Sequence, residues 1–223
     1  MKIDLAGKAA LVVGSGGSVK SATLAALAEN GAKIIDARLA TGGAGELLVE
    51  GRGISLATGA SDVPSRLPAE PLVLVHVSAG AESGPVEPPS ASIDPGSLAA
   101  LVRAVAPAVR RVVHVMSVAG VVPVRRAPVF SAREAAIASL TRSLAMELGA
   151  SGVAVNGIAV GAFAADDGAR ADGLLTHAAV KRPAQLSEIA AALLFLADPA
   201  NTYTTGHILN VDGGWSAGYA RNF

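Results

Sequence analysis

The chain has 223 residues, 18 Lys and Arg against 18 Asp and Glu, and no cysteine. That length suits one α/β domain with a sizeable core. Balanced charge without a basic run speaks against a nucleic-acid partner, and the lack of cysteine excludes disulfides, thiol catalysis and cysteine-bound metal. Aromatic residues make up only 3% of the chain, too few for grooves that stack bases. No apolar run reaches about 18 residues, so no membrane span is expected. Nothing after Met1 reads as a signal peptide, and a cytoplasmic location is the expectation.

In chain order, residues 9–13 (AALVV) form a short apolar run before a Gly/Ser loop, which predicts a buried parallel strand. Residues 21–29 read as a helix stopped by Gly31, and residues 33–37 as a second strand. Residues 41–71 are rich in Gly, Ser and Pro and predict loops, with one short strand near 54–57. Residues 72–77 read as a strand, 82–95 as a Pro/Ser-rich loop and 98–109 as a helix. Residues 112–116 predict the strand before Ser117, and 131–149 a long amphipathic helix. A strand at 153–158 and a polar loop with helical turns at 163–180 follow. The chain then reads as a helix at 187–196 capped by Ser187, and a last strand at 208–211. This alternation predicts an α/β fold of three layers. It is a Rossmann-like, doubly wound parallel sheet in a single domain over residues 1–223, with no internal repeat.

The stretch most suggestive of chemistry runs from residue 112 to 136. A serine ends a buried strand at Ser117, and thirteen positions later a helix opens that carries Phe130 and, four further on, Glu134. With the unit SAREAAIASLTRSLAMELGASGVAVN at 131–156 and the tail TYTTGHILNVDGGW at 202–215, the chain resembles the short-chain dehydrogenase/reductase family. Its style is that of the bacterial 3-oxoacyl-carrier-protein reductases, over nearly the whole length from Leu5 to about Trp215.

The resemblance assigns four catalytic positions. Its serine falls on Ser117. Its Y-x-x-x-K falls on Phe130 to Glu134, so phenylalanine replaces the proton-donating tyrosine and glutamate replaces the lysine that supports it. Its asparagine falls on Asp94, nine residues before Arg103. A phenyl ring has no proton to give, and loss of a positioned general acid typically costs about 10²–10⁴-fold in rate. A carboxylate at the lysine position also reverses the sign of the lysine's electrostatic effect.

The resemblance further implies NAD(P) as cofactor, held by a loop of pattern T-G-x-x-x-G-[I/L]-G. Here Gly14 keeps the first glycine, Gly16 lies in the loop, Ser18 replaces the second and Lys20 the third. Side chains at those positions hinder close approach of a pyrophosphate, although Lys20 could assist a phosphate. Arg38 stands where an acidic residue usually reads the adenosine ribose, Asp36 lies two residues away, and Asp62 with Val63 resembles the adenine-side pair. The N-N-A-G turn of the family is Val77-Ser78-Ala79-Gly80.

Two functional classes remain. The first is a non-catalytic member acting through assembly, either as a homo-oligomer or as the silent subunit beside an active reductase. In the family such pairing runs through the helix holding Phe130 and through the C-terminal strand and tail. The alternative is an enzyme. It would be an NAD(P)-dependent oxidoreductase of 3-oxoacyl type with a displaced acid, or a cofactor-independent acid–base catalyst in which Asp94 and Glu134 share a proton beside Ser117. The blander readings are that Phe130 is packing, that Arg133, Arg125 or Arg126 neutralises the carboxylates, and that His76 and His114 are satisfied core histidines rather than metal ligands.

Overall fold

The computed structural model describes residues 1–14, 17–39, 46–49, 52–55, 72–78, 94–125, 127–164 and 175–218. Its strands are β1 (Ala9–Gly14), β2 (Lys33–Leu39), β3 (Glu46–Val49), β4 (Arg52–Ser55), β5 (Leu72–Val77), β6 (Val109–Ser117), β7 (Ala154–Val160) and β8 (Ile208–Val211). The helices are α1 (Ser18–Glu29), α2 (Pro95–Val105), α3 (Pro128–Leu148) and α4 (Leu186–Ala197).

All eight strands join one sheet in the order β4-β3-β2-β1-β5-β6-β7-β8. Six of them, from β2 to β8 in that order, pair in parallel, while β3 pairs antiparallel with β2 and with β4. The doubly wound architecture read from the sequence is therefore present, with an antiparallel hairpin added at one edge. Every residue of β1 and β7 is buried, as strands covered on both faces require.

The two faces have separate cores. Leu98, Leu101 and Val102 of α2 and Ile137 and Leu144 of α3 pack on Leu11, Leu74 and Met116. On the other face Val19 and Leu27 of α1 and Ile189 and Leu193 of α4 pack on Val12, Val75 and Val113. The chain winds from β1 outward to β2 and then crosses to β5 on the other side of β1. Such a reversal leaves a crevice at the carboxyl ends of β1 and β5. The two ends meet closely: Gly14 has φ of 145°, and a Cβ there would lie 2.1 Å from the Val77 carbonyl oxygen.

Local boundaries differ from the sequence reading in instructive ways. The helix expected at 98–109 starts earlier, because Pro95 takes the first position and the Asp94 carboxylate accepts the Ser97 N–H. It also ends earlier, since Val109 already belongs to β6. Ser187 lies inside α4. The cap is Gln185, whose side chain and that of Glu188 form a reciprocal capping box. The strand expected near 54–57 is β4, and β3 was not anticipated. No helix among the described residues is long and apolar enough to cross a membrane.

Candidate functional site

The site begins where β5 and β6 end. Ser117 closes β6, and its side-chain oxygen accepts the Ala119 N–H at 3.2 Å, starting a short 3-10 turn at Val118–Gly120. That turn lies directly on α3, since a Cβ on Gly120 would come within 2.6 Å of the Glu134 carbonyl. The Ser131 hydroxyl oxygen accepts the Val124 N–H at 3.1 Å and holds the following loop to the same helix.

Glu134 faces inward from α3, on a buried stripe with Ser131, Ile137, Ala138 and Thr141. Only 2% of it is exposed. Its Oε2 accepts two hydrogen bonds, from the Ser117 backbone N–H at 2.7 Å and from the Ser78 hydroxyl at 3.0 Å. The Ser78 N–H in turn donates to the Val115 carbonyl at 2.8 Å. One carboxylate thus ties the end of β5, the end of β6 and α3 together. Burial raises its pKa, opposed by the two hydrogen bonds and by the nearby charge of Arg133.

Asp94 does not join this group. It is exposed, its carboxylate caps α2 through Ser97 N–H at 3.0 Å, and it shares no hydrogen bond with Glu134. The pair of carboxylates sharing a proton, expected as one alternative, is not assembled, because local capping holds Asp94 at the surface. Phe130 is half-buried in the first turn of α3. The Ser117 hydroxyl donates to no acceptor among the described residues. Ser117 offers one hydroxyl donor, and the carboxylate that accepts its N–H already holds two donors.

At the crevice, α1 begins after Gly17, and the Ser18 hydroxyl is buried with no hydrogen-bond partner among the described residues. Lys20 is 4% exposed. Its Nζ donates to the Gly14 carbonyl at 3.1 Å and the Ala37 carbonyl at 3.3 Å, and pairs with Asp36 at 2.5 Å. The expectation that Lys20 serves a phosphate is corrected here, because its ammonium turns inward to the end of β1 and to Asp36 and Ala37 of β2. A dinucleotide does not fit these residues: with Arg38 in place of the acid that takes a ribose, Asp36 is the carboxylate left nearby, and it already holds the lysine. Gly16 and Asp62 lie outside the described residues, and of Arg38 only the backbone is described.

His76 and His114 face each other across β5 and β6 with ring centroids 5.6 Å apart. Both are buried, as expected, but they are not satisfied. His76 Nδ1 and both nitrogens of His114 lack partners among the described residues. Burial pushes both pKa values down, that of His114 to about 4. No group of three or more potential metal ligands occurs among the described residues. A cavity of about 230 Å³ opens elsewhere, between residues 175–184 and the end of β8 with Asp212 and Trp215. None of Ser117, Phe130 or Glu134 lines it.

Ser78 and the pairing of Lys20 with Asp36 are the members that sequence reasoning missed. Helical periodicity held a signal for both charged residues. Lys20 lies on the stripe Val19, Lys20, Thr23, Ala26, Leu27, and Glu134 on the stripe Ser131, Ile137, Ala138, Thr141, so each points inward.

Residues 91–216 match the family model described as enoyl-(acyl carrier protein) reductase. The chain belongs to the short-chain dehydrogenase/reductase family. The 2-dehydro-3-deoxy-D-gluconate 5-dehydrogenase of Bacillus subtilis (strain 168) is 40% identical over 95 residues, 40% of this chain and 37% of that protein. The 3-oxoacyl-(acyl-carrier-protein) reductase of Synechocystis sp. is 37% identical over 107 residues, 47% of this chain and 43% of that protein. The matching stretch of this short-chain dehydrogenase/reductase therefore spans less than half the length of either relative. A crystal structure described as ribose-5-phosphate isomerase from Brucella melitensis 16M superposes with a TM-score of 0.72 at 24% identity, covering 98% of this chain and 99% of that one. That likeness concerns the fold alone.

Proposed function

We propose that this oxidoreductase-family chain does not carry out the family's carbonyl reduction. It acts in the cytoplasm through assembly, as a homo-oligomer or as the silent subunit beside an active reductase. The observation that carries this reading is Glu134, buried and held by the Ser117 N–H and the Ser78 hydroxyl at the position of the family's lysine. With Phe130 in the tyrosine position, the site has lost its proton donor and has become a brace between strand ends. The outer face of α3 supports the assembly half. Val129 is 67% and Met146 87% exposed, with exposed Ala132, Ala135 and Ser139 between them. Small and apolar side chains in such a row suit a close helix contact, and β8 is an edge strand of the sheet.

The test is NADH- and NADPH-dependent reduction of a 3-oxoacyl thioester by the wild-type chain and by the Phe130→Tyr/Glu134→Lys variant, with particle mass from light scattering. No turnover by the wild type, and a mass of two or more chains alone or with a complete reductase, is the expected result. Turnover in the ordinary enzyme range of about 1–10³ s⁻¹ overturns it in favour of a displaced acid. A chain that stays monomeric and joins no reductase removes the assembly half.

A further inference from the structure

We propose that Lys20 is an internal occupant of the nucleotide crevice, its ammonium standing in for the hydroxyl donors of a ribose, so that the chain closes this seat with its own side chain. The inference goes beyond the non-reducing reading, because it concerns binding and names the residue responsible.

The reasoning starts from the helix. Val19, Thr23, Ala26 and Leu27 bury one face of α1, and Lys20 falls on that face. A buried ammonium is tolerated only when its protons find acceptors. It has three N–H donors, and three acceptors surround it: the Gly14 carbonyl, the Ala37 carbonyl and the Asp36 carboxylate. The count closes with nothing left over. Gly14 ends β1 beside the point where the winding reverses, and Asp36 and Ala37 lie alongside it in β2, paired with Val12 and Val13. A nucleotide bound across such a sheet places its ribose there and donates its hydroxyls to an acidic side chain at the end of the second strand. Arg38 stands at that acidic position here, so Asp36 is the carboxylate left for a ribose, and the ammonium already holds it. The lysine is tethered and charged, and moving it would leave a charge seeking new partners inside the protein. Neutral hydroxyls do not compensate for that loss.

Two measurements test this. The first uses the wild-type chain with no ligand: acetic anhydride labelling read by mass spectrometry. Lys2, Lys33 and Lys181 are exposed and label freely, whereas Lys20 is expected to react at least about tenfold more slowly, at the rate of local opening. The second is calorimetric titration of 5′-AMP and NADH into the wild type, Lys20→Gly and Ser18→Gly/Lys20→Gly. The wild type is expected to show no saturation up to millimolar ligand, and the variants at least about a tenfold gain in affinity. Should the glycine variants fail to fold, Lys20→Met keeps the stem and removes the donors. Its melting temperature is expected to fall and then to rise again with 5′-AMP.

Labelling of Lys20 as fast as Lys33, or micromolar NADH binding by the wild type, overturns the proposal. So does a folded variant lacking the ammonium that gains no nucleotide binding, because something else then closes the seat. NADH binding without turnover would overturn only this inference and leave the non-reducing reading standing. Carbonyl turnover would overturn that reading whatever the labelling shows.

Discussion

Lys20 and Glu134 flank the point where the winding of the sheet reverses, one tying β1 to β2 and the other tying β5 to β6. Each is the one charged residue on a buried helix stripe of otherwise uncharged side chains, and each is turned into the protein to hold neighbouring strands. They differ in what balances the charge. Lys20 meets a carboxylate, Asp36, which is half-exposed. Glu134 takes its hydrogen bonds from a backbone amide and a hydroxyl, with the charge of Arg133 nearby. The lesson is that burial alone does not make a charged side chain reactive. The one with a full counter-charge is a latch, while the one held by neutral donors remains able to take up a proton.

The largest expected effect breaks the Glu134 side. Glu134→Ala empties a buried site, leaves the Ser117 N–H without its acceptor and turns the Ser78 hydroxyl to the Val115 carbonyl at 3.3 Å, and a loss of about 3 kcal/mol in urea unfolding is expected. A loss below about 1 kcal/mol would mean that water replaces the carboxylate and that no brace exists.

Next comes pH, where the same region carries two opposite dependences. The folded-state pKa values of His76 and His114 lie below the ordinary 6.5. The stability they contribute is therefore present above 6.5 and lost as pH falls through about 4 for His114, on the order of 3 kcal/mol for that one group. Glu134 has a raised pKa, so its contribution is present below the ordinary 4.5 and lost as pH rises through its folded value. Unfolding curves between pH 4 and 8 should show the acid-side loss reduced in His114→Phe and the rise-side loss reduced in Glu134→Gln. Unchanged slopes in both variants would separate these groups from the pH response.

The smallest effect sharpens the assignment of Asp94. Asp94→Ala removes the cap of α2 and should cost about 1 kcal/mol, while leaving the carboxyl NMR titration of Glu134 where it was. A displaced Glu134 titration would restore the coupled carboxylate pair that the geometry separates.

Much of the fold was legible because parallel strands covered on both faces need mainly apolar runs, and AALVVG, LVLVHV and AVNGIAV are such runs, interrupted only by His76 and Asn156. The hairpin of β3 and β4 was not, because ELLV and RGIS are short and take their pairing from the neighbouring β2 rather than from a pattern of their own. At the site, the identities of Ser117, Phe130 and Glu134 and the helix that carries the last two followed from spacing. What no local pattern contained was who touches whom.

Glu134 receives Ser117 from 17 positions away and Ser78 from 56, and Lys20 reaches Ala37 across 17. The sequence by itself determined the layers, the strand that ends at Ser117 and the replacement of the family's proton donor, since these depend on periodicity and residue type along one segment. Only the tertiary structure decided that Glu134 is a brace, that Lys20 turns inward to Gly14, Ala37 and Asp36 and that Asp94 stays at the surface. Those outcomes depend on which strand ends the winding brings beside a buried charge, and a buried charge takes whatever acceptors or donors it finds there.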